Sequence, residues 1–375
     1  RHSLGPGAVL CERSMGYERA NIARMHGYVP GKQPASSGTI KLNTNENPYP
    51  PCDAVMRELA AVPADSLRRY PPPSAERFRE RAAAVHGLGS DQVVAVNGGD
   101  ELLRLVFTTF VEPGAPIGVI EPSYSLYPVL AEIHGSPVVR ADAEPDWSWP
   151  ADLAERMNRE GVQLLLVVNP HAPSGVLTAA AQVSELARAF RGVVLVDEAY
   201  VDFVDPALGH DVVGLIARHD NLLLLRTLSK GYSLAGLRFG YGLGAAPLIA
   251  PLLWKTRDSY NVDAIAQRLA AAALEARAAA SETWAKVRSE RARVAGVLER
   301  LGFALAGPSQ SNFVLATAPA TASAPALHQA LEQRGVLVRY FADPRLAASL
   351  RITIGTPEQN ERLLVLLTEL VADHR

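Results

Sequence analysis

The chain has 375 residues, 48% hydrophobic and 20% charged, enough for a substantial core in one large domain or two joined ones. A net charge of −2 leaves no basic footprint for nucleic acid, and no apolar run reaches the length of a membrane span. Two cysteines, Cys11 and Cys52, make neither a disulfide framework nor a thiolate cluster, so no metal is expected, and the pair fits a reducing cytoplasm.

Residues 1–14 precede Met15, a candidate natural start, and read as an upstream extension with no place in the fold; the apolar stretch of RHSLGPGAVL is too short for a signal peptide. From about residue 91 to 244, short apolar runs alternate with helical patterns. The strand candidates are QVVAV (92–96), PIGVI (116–120), SPVVR (136–140), VQLLLVV (162–168), GVVLV (192–196), NLLLL (221–225) and RFGYGL (238–243). Most lack polar alternation, which predicts strands covered on both faces in a largely parallel sheet. Helices are expected between them, for example over 101–110 and 179–190. Residues 263–300 are rich in Ala, Glu and Arg and predict one or two long helices. Short strands then follow at 303–306, 312–317, 336–341 and 350–354. A helix is expected near 326–334, with Pro325 in its first turn, and another from Pro357. The expected fold is α/β, a three-layer αβα large domain with a mostly parallel sheet, plus a smaller α+β domain. Residues 1–65 form an N-terminal arm and part of the small domain, 66–262 the large domain, and 263–375 the small C-terminal domain.

In an open α/β sheet, ligands gather at the carboxyl ends of the strands, and four polar groups lie there. Lys230, in LLLLRTLSKG, follows a buried strand; only five lysines accompany 32 arginines, and a Schiff base needs a primary amine. Asp197 ends the strand of GVVLVDEAYVDF, where a carboxylate can keep a pyridinium nitrogen protonated; Tyr200 can bond the ring's 3′-oxygen. The same Asp-Glu pair could read as magnesium ligation in an ATPase, but no GxxxxGK[ST] loop exists. VNGGDELLRL runs through Gly98 and Gly99 into a helix near Asp100, an anion site at a helix start, or equally an Asp N-cap after a tight turn. Arg238, with Thr227 and Ser229, could complete a phosphate cup. These groups suit pyridoxal 5′-phosphate.

The set NTNENPYP (43–50), NGGDE, EPSYSLYP (121–128), NPHAPSG (169–175), VDEAY, TLSKGYSLAGLRFGY, GVLVRYF (335–341) and LRITIGT (350–356) resembles the fold-type I aminotransferases across the chain from Met15. GYVPGKQP (27–34), RRYPPP (68–73) and the GVLVR and LRITIGT pair resemble the histidinol-phosphate aminotransferase branch. The resemblance implies that Lys230 carries the cofactor, Asp197 pairs with its ring nitrogen and Tyr200 contacts its 3′-oxygen. It further implies that Gly98, Gly99, Asp100, Thr227, Ser229 and Arg238 hold the phosphate, that Tyr124 stacks on the ring, and that Asn169 lies beside it. Tyr70 would reach the phosphate of a neighbouring subunit, so a homodimer with shared sites is implied. Arg351, costly to bury inside an apolar strand without an anion, becomes the substrate clamp, assisted by Arg339, with Tyr28 closing over and Asn47 also touching substrate.

One departure stands out. Where such sequences read Asn-Pro-Thr-Gly, this chain has Ala172-Pro173-Ser174-Gly175, so the usual asparagine contact to the 3′-oxygen must come from Asn169 or His171, or Tyr200 acts alone. The implied reaction is ping-pong amino transfer from L-histidinol phosphate to 2-oxoglutarate, and two arginine forks suit both anions. An aromatic or broad-range aminotransferase shares nearly every motif, and threonine-phosphate decarboxylase shares the scaffold. A non-catalytic ligand-binding protein is opposed by the joint presence of Lys230, Asp197 and Arg238.

Overall fold

A computed structural model describes residues 16–34, 36 and 38–372; the extension expected over residues 1–14 lies outside the described residues. Among the described residues twelve strands form: β1 (Ile40–Leu42), β2 (Val93–Val96), β3 (Ile117–Glu121), β4 (Val138–Asp142), β5 (Leu164–Val168), β6 (Val193–Asp197), β7 (Leu222–Thr227), β8 (Gly240–Gly244), β9 (Ala304–Leu305), β10 (Phe313–Thr317), β11 (Val336–Tyr340) and β12 (Ser349–Thr353). Seven build one sheet in the order β2-β8-β7-β6-β5-β3-β4, with β8 antiparallel to both neighbours and every other pairing parallel. The remaining five build a second sheet, β1-β11-β12-β10-β9.

The continuous apolar runs explain the first sheet. Every residue of β2, β5, β7 and β8 is buried, so these strands have no solvent face. Each fully buried leucine or valine of β5 contributes about 2 kcal/mol of transfer free energy. Helices Gly99–Phe110 and Leu126–His134 cover one face with the core around Phe107 and Tyr127, whereas Ala180–Ala189 and its neighbours cover the other. The long Ala-rich stretch divides into Ala264–Glu275, capped by the Asp263 carboxylate, and Arg277–Arg300. Pro325 does occupy the first turn of Ala324–Gln333.

Two features differ from the sequence reading. β1 was not expected: its three residues pair in parallel with β11, Ile40 opposite Val336, so the arm is stitched into the second sheet. The helix Ala264–Glu275, expected to open the small domain, packs instead on Asp53–Ala60 and Glu76–His86 at the β2 edge of the large sheet. An alanine-rich face lets helices approach closely, and which neighbour it meets is a tertiary matter.

Because β2, β3, β5, β6 and β7 run in one direction, the residues that follow them gather at one edge of the large sheet. The second sheet presents β11 and β12 to that edge, and the cavity opens between them.

Candidate active site

A cavity of about 420 Å³ is lined from the large sheet by Asp197, Lys230 and the start of helix Gly99–Phe110, and from the small sheet by Arg339 and Arg351. Asn43, Thr44 and Asn45, which follow β1, form its third side.

Lys230 stands just past β7, and its Nζ donates to the Thr44 carbonyl at 2.9 Å. Burial, reinforced by the neighbouring Arg351 charge, pulls its pKa down to about 8, so the uncharged, nucleophilic amine is far more populated near neutral pH than in an ordinary lysine. Asp197 closes β6. Its Oδ2 accepts from the Tyr127 hydroxyl at 2.9 Å and its Oδ1 from the Ala199 N–H at 3.0 Å. Burial outweighs these bonds and lifts its pKa to about 6. A cation placed against this carboxylate would restore full ionisation, which is the environment a pyridinium nitrogen needs.

Tyr200 sits with its ring edge on Phe313, and its oxygen accepts from the Asn45 amide at 3.0 Å. Asn45 has a left-handed backbone, φ 57°, and is anchored by Thr353 and by the Asn312 amide. Tyr124 lines the cavity, its ring 5.8 Å from that of Tyr28, which leans in from the arm.

The anion cup is assembled at the point where β2 turns into its helix. Gly98 has φ 76°, and a Cβ there would lie 2.7 Å from Arg238 Nη2; glycine lets the guanidinium lie over the helix start. Gly240 is equally required, since a Cβ there would meet the Gly99 nitrogen at 2.9 Å. Arg238 itself adopts φ 57° and lies 3.6 Å from the Asp100 carboxylate. Ser229 is held by Thr227, whose Oγ1 accepts the Ser229 N–H at 3.1 Å. Gly99, Asp100, Thr227, Ser229 and Arg238 all line the cavity, and Gly98 supports them from behind.

On the opposite wall, Arg339 and Arg351 are cross-strand partners in the β11–β12 register. Like charges in that position repel. Among the described residues neither has a carboxylate within ion-pairing distance. Arg351 donates to the Asn43 carbonyl at 3.3 Å and its Nε is buried without a partner; its planar face lies over Phe313 and Phe341. Burial pushes its pKa below the usual arginine range. Such a pair is unfavourable until an anion arrives between or beside the two guanidiniums.

Besides Gly98, three expected residues do not line the cavity. The Asn47 amide donates to the Gly231 carbonyl at 3.1 Å and the Thr283 hydroxyl at 3.2 Å, which pins the arm rather than facing a substrate. Asn169 is fully buried, with both carboxamide atoms bonded to the Thr178 backbone. Tyr70 is 80% exposed and stacks on Tyr260, ring centroids 4.4 Å apart, away from the cavity of its own chain. His171 is likewise occupied. Its Nε2 lies 3.0 Å from the Pro122 carbonyl, which can only accept, so the proton sits on Nε2 and Nδ1 accepts from Ser174. Burial depresses its pKa to about 4.

Asn45, Thr44 and Tyr127 were not singled out from the sequence. Asn45 lies in the same NTNENPYP motif as Asn47, and Tyr127 in the same EPSYSLYP motif as Tyr124, so both motifs carried a signal for one further residue each.

The available groups form a nucleophilic amine, a buried acid, an anion cup at a helix start and a second, separate anion clamp. Lys230 Nζ in reach of the cavity, an orphaned Arg351 Nε and an orphaned Thr44 hydroxyl all fit a phosphorylated aldehyde cofactor together with an anionic substrate.

The model of the family "Aminotransferase class I and II" matches residues 37–367. Histidinol-phosphate aminotransferase 1 of Trichormus variabilis is 39% identical over 356 residues, covering 95% of this chain and 99% of that protein. Histidinol-phosphate aminotransferase of Synechocystis sp. is 40% identical over 356 residues, covering 94% and 97%. The crystal structure of histidinol-phosphate aminotransferase from Sinorhizobium meliloti in complex with pyridoxal-5′-phosphate superposes with a TM-score of 0.86 at 23% identity, covering 97% of this chain and all of that one.

Proposed function

The chain belongs to the class I and II aminotransferase family and is a pyridoxal-phosphate-dependent enzyme, and on that premise we propose that it moves the amino group of L-histidinol phosphate to 2-oxoglutarate. The observation that carries this reading is the Arg339–Arg351 pair. Two adjacent, uncompensated guanidiniums suit a substrate whose far end is a phosphate, and they suit equally the distal carboxylate of the keto acid that follows it. The relatives at 39% and 40% identity bear the name of that activity.

Bound pyridoxal phosphate supplies an aldehyde that condenses with primary amines and a ring that takes up the electrons left at the α-carbon. In this reading Asp197 faces the ring nitrogen, Tyr200 the 3′-oxygen and Tyr124 the ring face. Ser229, Arg238 and the Gly99 end of the helix hold the phosphate. The Lys230 amine, with its lowered pKa, takes the proton from the donor's α-carbon and returns it on the other side of the reaction. Arg351 and Arg339 fix the substrate's anionic end so that the α-carbon hydrogen lies within reach of Nζ. No other polar side chain of the 169–175 segment is free for the 3′-oxygen, so Tyr200, oriented by Asn45, serves it alone. The enzyme is a homodimer in this reading: Tyr70, turned outward, serves the phosphate of the partner's site.

The test is a half-reaction screen. The absorption of the bound cofactor is followed while single donors are added. Histidinol phosphate is expected to bleach it at far lower concentration than phenylalanine; the reverse order sinks the donor assignment. Borohydride reduction is expected to leave the pyridoxyl label on the peptide carrying Lys230.

A further inference from the structure

The cavity has a fourth wall, contributed by the loop that joins β11 to β12. Phe341, Asp343 and Leu346 of this loop line the cavity, and Leu346 is buried. The loop is shaped by its own backbone: the Asp343 carboxylate accepts the Arg345 N–H and its carbonyl the Leu346 N–H, each at 2.9 Å. These bonds fold the loop but do not hold it against the large sheet. Arg345 does. Its guanidinium lies over the Trp147 ring at 4.2 Å, while Nη1 donates to the Ala143 carbonyl and Nη2 to that of Glu144.

The receiving side is built for this. Residues 144–148 form a tight turn in which the Glu144 N–H donates to the Ser148 carbonyl at 2.9 Å and the Asp146 carboxylate accepts from the Ser148 N–H and hydroxyl. Trp147 adopts φ 71°, a conformation that bulky residues take only when the surroundings impose it. That turn presents the indole to Arg345 and also to the His171 ring, whose centroid is 5.7 Å away at a tilt of 36°. His171 in turn bonds the carbonyl of Pro122, itself a cavity residue, and precedes Ala172 and Pro173, which also line it. A chain of contacts, Arg345 over the Trp147 ring and Trp147 tilted against His171, therefore ties the loop of one sheet to the cavity wall of the other.

We propose that Arg345 is a positioning residue that holds the 341–346 loop as the wall against which the amino donor's side chain is selected. It touches neither cofactor nor reacting atoms. It acts by fixing where Asp343 and Leu346 stand relative to Arg339 and Arg351, which leave from the flanking strands. The inference rests on this cavity being the amino-donor site, not on which donor is used.

The experiment compares Arg345→Ala, Arg345→Lys and Trp147→Leu with the wild type in the holoenzyme, using whichever of histidinol phosphate and phenylalanine the wild type turns over. A failed donor assignment thus leaves this test standing. Loss of the stack and two carbonyl bonds is expected to raise the donor KM about tenfold, with kcat within about twofold and the bound cofactor's absorption unchanged. Arg345→Lys, which keeps a cation over the ring and one carbonyl bond, is expected to fall between, and it decides the matter by the same KM if Arg345→Ala does not fold. A wild-type donor KM in Arg345→Ala, or a loss in kcat with no change in KM, overturns the proposal.

Discussion

The hydroxyl of Tyr127 donates a 2.9 Å hydrogen bond to Oδ2 of Asp197 from a ring with no exposed surface. The bond stabilises the ionised carboxylate and holds down a pKa that burial raises. Tyr127→Phe leaves Oδ2 without that donor, and hydrogen bonds to charged groups are worth about 1.5–3 kcal/mol. Cofactor affinity or kcat is therefore expected to fall about 10- to 100-fold. The acid limb of the kcat–pH profile should move upward, because Asp197 then protonates at a higher pH. An unchanged profile and affinity in Tyr127→Phe would count against Asp197 as the group facing the ring nitrogen.

The same carboxylate makes the cofactor-free protein sensitive to pH in a defined direction. Its folded pKa of about 6 lies above the ordinary 3.8, so its contribution to stability is fully present below about pH 3.8 and is lost as pH rises through about 6. The gap corresponds to about 3 kcal/mol at most. As pH rises from 4 to 7, urea unfolding of the apoprotein is expected to show Asp197→Asn gaining stability relative to the wild type by up to that amount. A gain in the opposite direction would mean that Asp197 is already compensated in the empty fold.

Arg351 is a largely enclosed cation with a buried Nε, facing Arg339 with no described carboxylate beside it. Replacing it by an apolar residue of similar length removes a desolvation cost and abolishes a charge-assisted fork. Arg351→Met is expected to melt at or above the wild-type temperature while the KM for both anionic substrates rises about 100-fold. A clear drop in melting temperature with unaltered KM would show the residue to be structural.

Asn45 and Asn47 separate function from scaffolding. Asn45→Gly keeps the left-handed backbone yet removes the amide that orients Tyr200 and the carbonyl oxygen that accepts from Thr353, so kcat is expected to fall about tenfold alongside a stability loss of about 1–2 kcal/mol. Asn47→Ala breaks the bonds to Gly231 and Thr283 instead, and is expected to cost about 1 kcal/mol in unfolding free energy with kcat unchanged. Parallel thermal melts and steady-state kinetics on the two variants check the contrast.

Much of this molecule was legible in one dimension. The uninterrupted apolar runs of β5 and β7 predict strands with no wet face, and parallel strands of that kind collect the residues that follow them at one edge. Lys230, Asp197, Ser229 and Gly99 each lie within a few residues of such a strand end, so their convergence needed no knowledge of pairing. Position along the chain already implied position in space.

Asn45 displaced Asn47 because one left-handed residue breaks the alternation that an extended segment would keep, and no spacing rule announces it. Asn169 and His171 looked free in the sequence but had partners, Thr178 and the Pro122 carbonyl, that only a folded loop brings near. The Arg339–Arg351 pairing is a register between strands, and the Arg345–Trp147 stack joins residues from different sheets. By itself the sequence determined most of the elements, the largely parallel run of the large sheet and the identity of the groups at its edge, since those follow from hydrophobic periodicity and local chain geometry. The hydrogen-bond partners, the facing charges and the closing wall were decided only by the tertiary structure, because each depends on side chains distant along the chain meeting at distances of a few ångströms.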